Sequence, residues 1–282
     1  MSSSSGQINY AHASGINSVA AAVIFAVFYG ILLPYYLWRA IRNPTYVLII
    51  LSLFCAIRVT AFVMRAVLAG SSSAGTDVGL VIGESIVYSV GFFGLLYSAY
   101  LLVLDRDIIS GTVRRNPISR ITSNRHLIRL ALVAAVVIGI TGSTYISSTK
   151  PQDISLSKTL RKVSVIIFLV VTALLAVHTL FLVRGENAAL RRGSLQGTSF
   201  GTTYGMYILC LIVIFLLIRE IYLTATISSI SRQNEAVWYP LAALPELLAV
   251  FLFAVPGLVP EKKDLIARAH DQEKNLEATE TA

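Results

Sequence analysis

The chain has 282 residues, of which 55% are hydrophobic and 13% charged, and its mean hydropathy is +0.72. Soluble domains average roughly 25% charged residues, so a water-facing globular domain of this size is excluded. The net charge of +8 does not point to nucleic acid, because the basic residues sit in short segments between apolar runs and form no stripe interleaved with aromatics.

A spanning helix needs about 20 mostly apolar residues. Seven runs reach that length, at 16–38, 46–68, 78–104, 127–146, 163–183, 204–227 and 237–256. The expected fold is therefore all-α, a polytopic membrane protein built as one seven-transmembrane-helix bundle. Residues 1–15 carry no Lys or Arg, and the first run is too long for the apolar core of a cleaved signal, so it is expected to remain as an anchor helix. Three regions follow: a tail at 1–15, a helical domain at 16–257, and a polar tail at 258–282. From Glu261 that tail is mixed in charge and reads as solvated, with room for a short helix such as Asp264 to Leu276. Cys55 and Cys210 both lie within apolar runs, which argues against an extracellular disulfide.

The short connections set an expected orientation. The side holding the N-terminus carries five basic residues, namely Lys150, Lys158, Arg161, Lys162 and Arg232, against fourteen on the other side. An excess of Lys and Arg marks the cytosolic side, which puts the N-terminus outside and the C-terminus in the cytosol. The four positives between the fourth and fifth runs oppose that rule.

Ionisable groups within spans cost about 2.5–3.5 kcal/mol each at mid-helix on insertion scales, so their presence asks for partners or a function. Six stand away from the cytosolic ends: Arg58, Arg65, Glu84, Arg219, Glu220 and Glu246. Three Arg and three Glu permit neutral pairing. All six fall in the middle or outer half of the bilayer, and Arg58 and Arg65, seven apart, share a helix face. The expectation is a buried polar cluster joining helices 2, 3, 6 and 7. In it Arg58 and Arg65 bind an anionic headgroup or pair with Glu84, and Arg219 pairs with Glu246. Arg219 and Glu220, adjacent and about 100° apart around the helix, are expected to face different neighbours. The same cluster also reads as a purely structural clamp. Pro240 and Pro245, just before Glu246, remove backbone donors and mark a hinge or ligand niche.

Several chemistries are excluded. A retinal protein needs a Schiff-base Lys in its last helix, and the seventh run has none. His12, His126, His178 and His270 are scattered without metal-ligand spacing, so no metal and no cofactor is expected, and His178 reads as a packed residue. No nucleophile and base converge, and no phosphate-binding Gly-rich loop is present, which argues against an enzyme and against ATP-driven pumping by this chain. Asp105-Arg106-Asp107 at the end of helix 3 is similar to the acid–Arg motif of G-protein-coupled receptors, but it reads as an interfacial charge cluster, since the seventh run lacks Asn-Pro-x-x-Tyr.

Two stretches resemble the fungal seven-helix family known for resistance to aminocholesterol, which includes lipid-translocating exporters. Arg58-Val-Thr-Ala61-Phe62-Val-Met-Arg65 is similar to that family's Glu-x-x-Gly-Tyr-x-x-Arg, with Arg58 in place of the Glu and Ala61 in place of the Gly. Glu235, Trp238 and Tyr239 precede Ala243-Leu244-Pro245, and Pro256-Gly257 close the span, as in the family. Ile218-Arg219-x-x-Tyr222 is a weaker likeness, with Leu223 and Thr226 where the family has Arg and Glu. The resemblance implies a divergent, fungal, seven-helix protein of the plasma membrane or an endomembrane. The function expected is the translocation or sensing of an amphipathic lipid or small molecule through the polar cluster, with membrane lipids as partners. The alternatives are a seven-helix receptor-like signalling protein and an intramembrane enzyme.

Overall fold

The computed structural model describes residues 9–110, 124–145, 150–190, 204–227 and 234–260. Among them there is no strand, and seven helices are long and apolar enough to cross a membrane. They are α1 (Val19–Arg42), α2 (Tyr46–Gly70), α3 (Val78–Ser110), α4 (Arg125–Thr144), α5 (Pro151–Leu190), α6 (Gly205–Thr226) and α7 (Glu235–Phe253). The polar C-terminal tail from Glu261, with its expected helix Asp264 to Leu276, lies outside the described residues.

The helix ends follow local chemistry. Ser18 caps α1 by accepting from the Ala21 N–H at 3.2 Å, and Asn124 caps α4 by accepting from the Leu127 N–H at 3.3 Å. α1 stops at Asn43 because the residue before a proline is pushed out of helical geometry. Large apolar side chains such as Ile24, Val27, Ile31 and Leu130 stand exposed on the outside of the bundle, the pattern of helices that face lipid rather than water.

Consecutive helices pack as α1–α2, α2–α3, α4–α5, α5–α6 and α6–α7, and α3 also meets α4, α5 and α6. α3 is the most buried of the seven. The ring closes where α1 returns to α7: Tyr36 Oη donates to the Val250 carbonyl at 2.5 Å and Tyr35 Oη to the Ala254 carbonyl at 2.9 Å. α4 and α5 come closest through glycine. A Cβ at Gly142 would stand 3.0 Å from Leu160 Cβ, and one at Gly139 would stand 2.8 Å from Ser164 Oγ. Small residues at such crossings let backbones approach, and here serines bond across them. Ser157 Oγ donates to the Gly142 carbonyl at 2.6 Å and Ser164 Oγ to the Ala135 carbonyl at 2.7 Å.

Two ends of the bundle can be named from the chain. The N-face carries residues 9–18. There a short helical turn, Tyr10–Ala13, leads through Gly15 (φ 78°) into α1, and Ala11 and Ile16 pack on Leu68. The C-face is the opposite end, where the chain leaves α7. Leu258 and Val259 are still buried there.

The spans lie where hydropathy puts them, with one instructive difference. The fifth run was expected over 163–183, yet α5 begins at Pro151. Residues 151–162 are polar and give no hydropathy signal. They are helical because they continue a span and pack on α4 through Ser157. Lys158, Arg161 and Lys162 therefore ride on a helix rather than in a loop.

Candidate functional site

α2, α3, α6 and α7 each aim charged side chains at the same region of the interior, toward the N-face. Glu246 is fully buried and bridges two arginines: Oε1 accepts from Arg58 Nε, and Oε2 accepts from Arg219 Nε at 2.8 Å. Arg219 Nη1 donates to Glu220, and Arg65 Nη1 donates to Glu84 Oε1 at 3.2 Å. Arg65 Nη2 also lies 3.6 Å from Glu235 Oε1. The structure thus brings all six of the expected charged residues together. The Arg219–Glu246 and Arg65–Glu84 pairs form as expected. Arg219 and Glu220, expected to face different neighbours, instead bond to each other, because the long arginine side chain reaches back across the helix surface. Arg58 departs from expectation by joining Glu246 rather than Glu84, because it lies two helical turns deeper on α2 than Arg65 and so meets the deeper carboxylate.

Each arginine is also covered by an aromatic ring. Arg58 Cζ is 3.9 Å from the Tyr88 ring centroid, Arg65 Cζ is 4.0 Å from that of Trp238, and Arg219 Cζ is 3.7 Å from that of Phe92. A ring face is a favourable surface for a desolvated guanidinium. Glu84, Tyr88 and Phe92 form an i, i+4, i+8 stripe on α3, which carries one carboxylate of the network and two of the three rings on one face. That spacing is the signal by which Tyr88 and Phe92 could have been found from the sequence. Gly91 gives Arg58 its room, since a Cβ there would stand 3.1 Å from Arg58 Nη1.

Glu235 is a fourth acid in the network, visible in the sequence only as part of a motif resemblance. Its Oε2 accepts from the backbone N–H groups of Asn17 at 2.9 Å and Ser18 at 2.8 Å. The carboxylate therefore sits on the N-terminus of α1, where unpaired N–H groups and the helix dipole both favour negative charge. It ties α7 to α1 and holds the N-terminal segment down on the N-face.

The prolines of α7 act on backbone geometry. Tyr239–Ala243 form one π-helical turn, with Pro240 near its start and Pro245 at the start of the α-helix that follows. Proline lacks the N–H that would continue the regular ladder, and π turns resolve such breaks. Trp238 and Tyr239 at the start of the π turn face Arg65, and Glu246 after it faces Arg58 and Arg219.

Above this network lies a cavity of about 440 Å³. Arg65, Glu84, Arg219 and Glu220 form its charged floor, while Tyr88, Phe92, Val165, Phe168 and Leu223 give it apolar walls. Ser14 and Ile16 of the N-terminal segment lie at its rim. Lys158 and Arg161, the anomalous positives of the topology count, line it as well. Among the described residues no group of three or more His, Cys, Asp or Glu side chains could hold a metal ion.

The C-face holds a separate polar cluster. Arg106 Nη2 donates to the carbonyls of Gly257 at 3.1 Å and Leu258 at 2.9 Å. His178 Nε2 lies 3.9 Å from Asp107 Oδ2, and both residues are buried. His178 is thus a packed residue, and the Asp-Arg-Asp stretch ends α3 against the exit of α7. Gly205 permits that approach: a Cβ there would meet Arg106 Nη2 at 2.5 Å.

No curated protein and no solved structure matches the chain. One family does match, and it covers residues 17–263, from the start of α1 to just past α7 and so the whole bundle with its charged network. The chain belongs to the family described as a domain of unknown function, DUF7702.

Proposed function

We propose that this integral membrane protein takes an amphipathic lipid or lipid-like small molecule into the N-face cavity and either moves it across the bilayer or senses it. The observation that carries this reading is the composition of the cavity: apolar and aromatic walls beside a set of paired charges. Intramembrane ionisable residues that face a cavity mark substrate paths by default. The reading is non-enzymatic, since the charged groups are committed to one another and serve binding. The loop charges support an N-face outside the cytosol, at the plasma membrane or an endomembrane. The likeness of the α2 and α7 motifs to the fungal aminocholesterol-resistance family supports a lipid as the molecule handled.

The test uses purified protein in liposomes that carry a fluorescent phospholipid or sphingoid base. The readout is how fast inner-leaflet label becomes accessible to an impermeant quencher. Acceleration over empty liposomes is expected, with loss in Ser89→Trp, which fills the cavity from an exposed lining position without touching an ion pair. A folded protein that binds the lipids without accelerating exchange would leave sensing as the activity. One that does neither would end the reading.

A receptor-like role is the second reading, and one observation favours it. α3 runs continuously from the cavity stripe at Glu84, Tyr88 and Phe92 to Arg106 at the C-face. A ligand-dependent change in hydrogen exchange around Arg106 and Gly257 would distinguish it from translocation.

A further inference from the structure

Two cations line the cavity without a counter-charge. Arg161 is half-buried, Lys158 is exposed, and neither has an ion-pair partner among the described residues. The other charges of the region leave one negative group, Glu235. Arg58, Arg65 and Arg219 offset Glu84, Glu220 and Glu246, while Glu235 is held by two backbone N–H groups at the α1 N-terminus. Arg161 and Lys158 add two positive groups on the α5 wall, so that the region carries one net positive charge, concentrated on that wall.

We infer that Arg161 and Lys158 form an anion site that receives a phosphate or phosphate-like headgroup at the mouth of the cavity; this rests on the proposed uptake of an amphipathic molecule. Three features carry the inference. Lys158 and Arg161 lie one turn apart on α5, so both reach the same side of the cavity. A guanidinium offers paired N–H donors that fit a phosphate, and an ammonium adds a point charge beside it. Arg161 is also positioned by packing: a Cβ at Gly142 would stand 3.0 Å from Arg161 Cγ and 3.1 Å from its backbone N, so glycine alone lets the α4 backbone support the side chain this closely. Long basic side chains at a helix end ordinarily snorkel out to water. These two line the cavity instead, on the side of the bundle that the loop charges leave poorest in Lys and Arg.

The test measures binding to the purified full chain in a neutral detergent. The probes are short-chain phosphatidic acid and a diacylglycerol with the same acyl chains, with inorganic phosphate as competitor. Phosphatidic acid is expected to bind more tightly. Arg161→Gln, which keeps the carbons that pack on Gly142, is expected to weaken it about tenfold while leaving diacylglycerol unchanged. Arg161→Lys should restore part of the loss, and Lys158→Gln should cost about threefold, since that ammonium is more exposed and better screened. Displacement by millimolar phosphate would mean that a free phosphate ester can occupy the site, and lack of displacement that the acyl chains are required; both support the anion site. Equal affinity for the two lipids, or an undiminished preference in Arg161→Gln, overturns the anion site and leaves lipid uptake standing. If no amphiphile binds, lipid uptake fails, and the anion site then stands only on direct phosphate binding that Arg161→Gln abolishes.

Discussion

Both ends of the bundle bury arginine, and they use it differently. At the N-face three guanidinium groups meet carboxylates from α3, α6 and α7 and lie on aromatic rings beneath a cavity. At the C-face Arg106 meets backbone carbonyls just past the C-terminus of α7, and around it the interior is filled by Leu102, Val103, Leu258 and Val259. Carbonyls at a helix end need a donor whatever the protein does. Carboxylates deep in a bilayer need not be there at all. The C-face contact thus accounts for itself as closure. The N-face network is costly without a further role, and it is the network that adjoins empty volume. Among the described residues, one end of the bundle is packed with apolar side chains and the other carries a polar cavity.

The strongest way to break this contrast is to remove Glu246. It touches two arginines, and its loss leaves Arg58 without the carboxylate it bonds and Arg219 with Glu220. Breaking a buried pair costs about 3–5 kcal/mol. Glu246→Gln is expected to lower thermal stability in detergent by that order, more than the loss of Arg106 at the C-face. A loss under ~1 kcal/mol would mean that water reaches the network and that these ion pairs do not organise the bundle. A smaller effect is expected from Arg106→Gln, which gives up one charged donor group, Nη2, shared between two carbonyls, at about 1.5–3 kcal/mol taken as a single charge-assisted interaction. Lipid binding at the N-face should survive it. If binding falls while the melting temperature holds, the two ends are coupled and the receptor-like reading gains at the expense of simple closure.

How much of this was legible in the sequence depends on what each signal measures. Hydropathy counts residues along the chain, so all seven spans and the six intramembrane charges could be read directly. It says nothing about rotation around a helix axis, and so the partner of Arg58 could not be assigned. Glu235 looked like a loop residue because it precedes the apolar run, and only the fold places it against the N-terminus of α1. Lys158 and Arg161 looked like exceptions to a charge rule. Their place on a helix depends on packing of the polar segment 151–162 against α4, which no local propensity reveals. The prolines announced a break in α7, whereas the π turn that accommodates it is a property of the backbone in context.

The finest test of the contrast lies in the wall that carries the two cations. α4 and α5 are joined by Ser157 to the Gly142 carbonyl and by Ser164 to the Ala135 carbonyl, and Gly139 and Gly142 set the spacing. Interhelical hydrogen bonds of this kind contribute about 0.6 kcal/mol each, because a helix separated within the membrane finds other partners for the same groups. Ser157→Ala and Ser164→Ala should therefore each lower stability by ~0.6 kcal/mol in thermal unfolding, and the pair should add. Neither should change the preference for an anionic headgroup, since the glycines still hold the α5 backbone at Arg161. Gly142→Ala separates spacing from bonding: its new Cβ would press on Leu160 and on the backbone at Arg161, shifting the cation while leaving the Ser157 hydroxyl its acceptor. A headgroup preference that weakens in Gly142→Ala but not in the serine variants would assign the position of Arg161 to close packing. The opposite result would assign it to the serine bonds, and the wall would then be held by polar contacts like the network beside it.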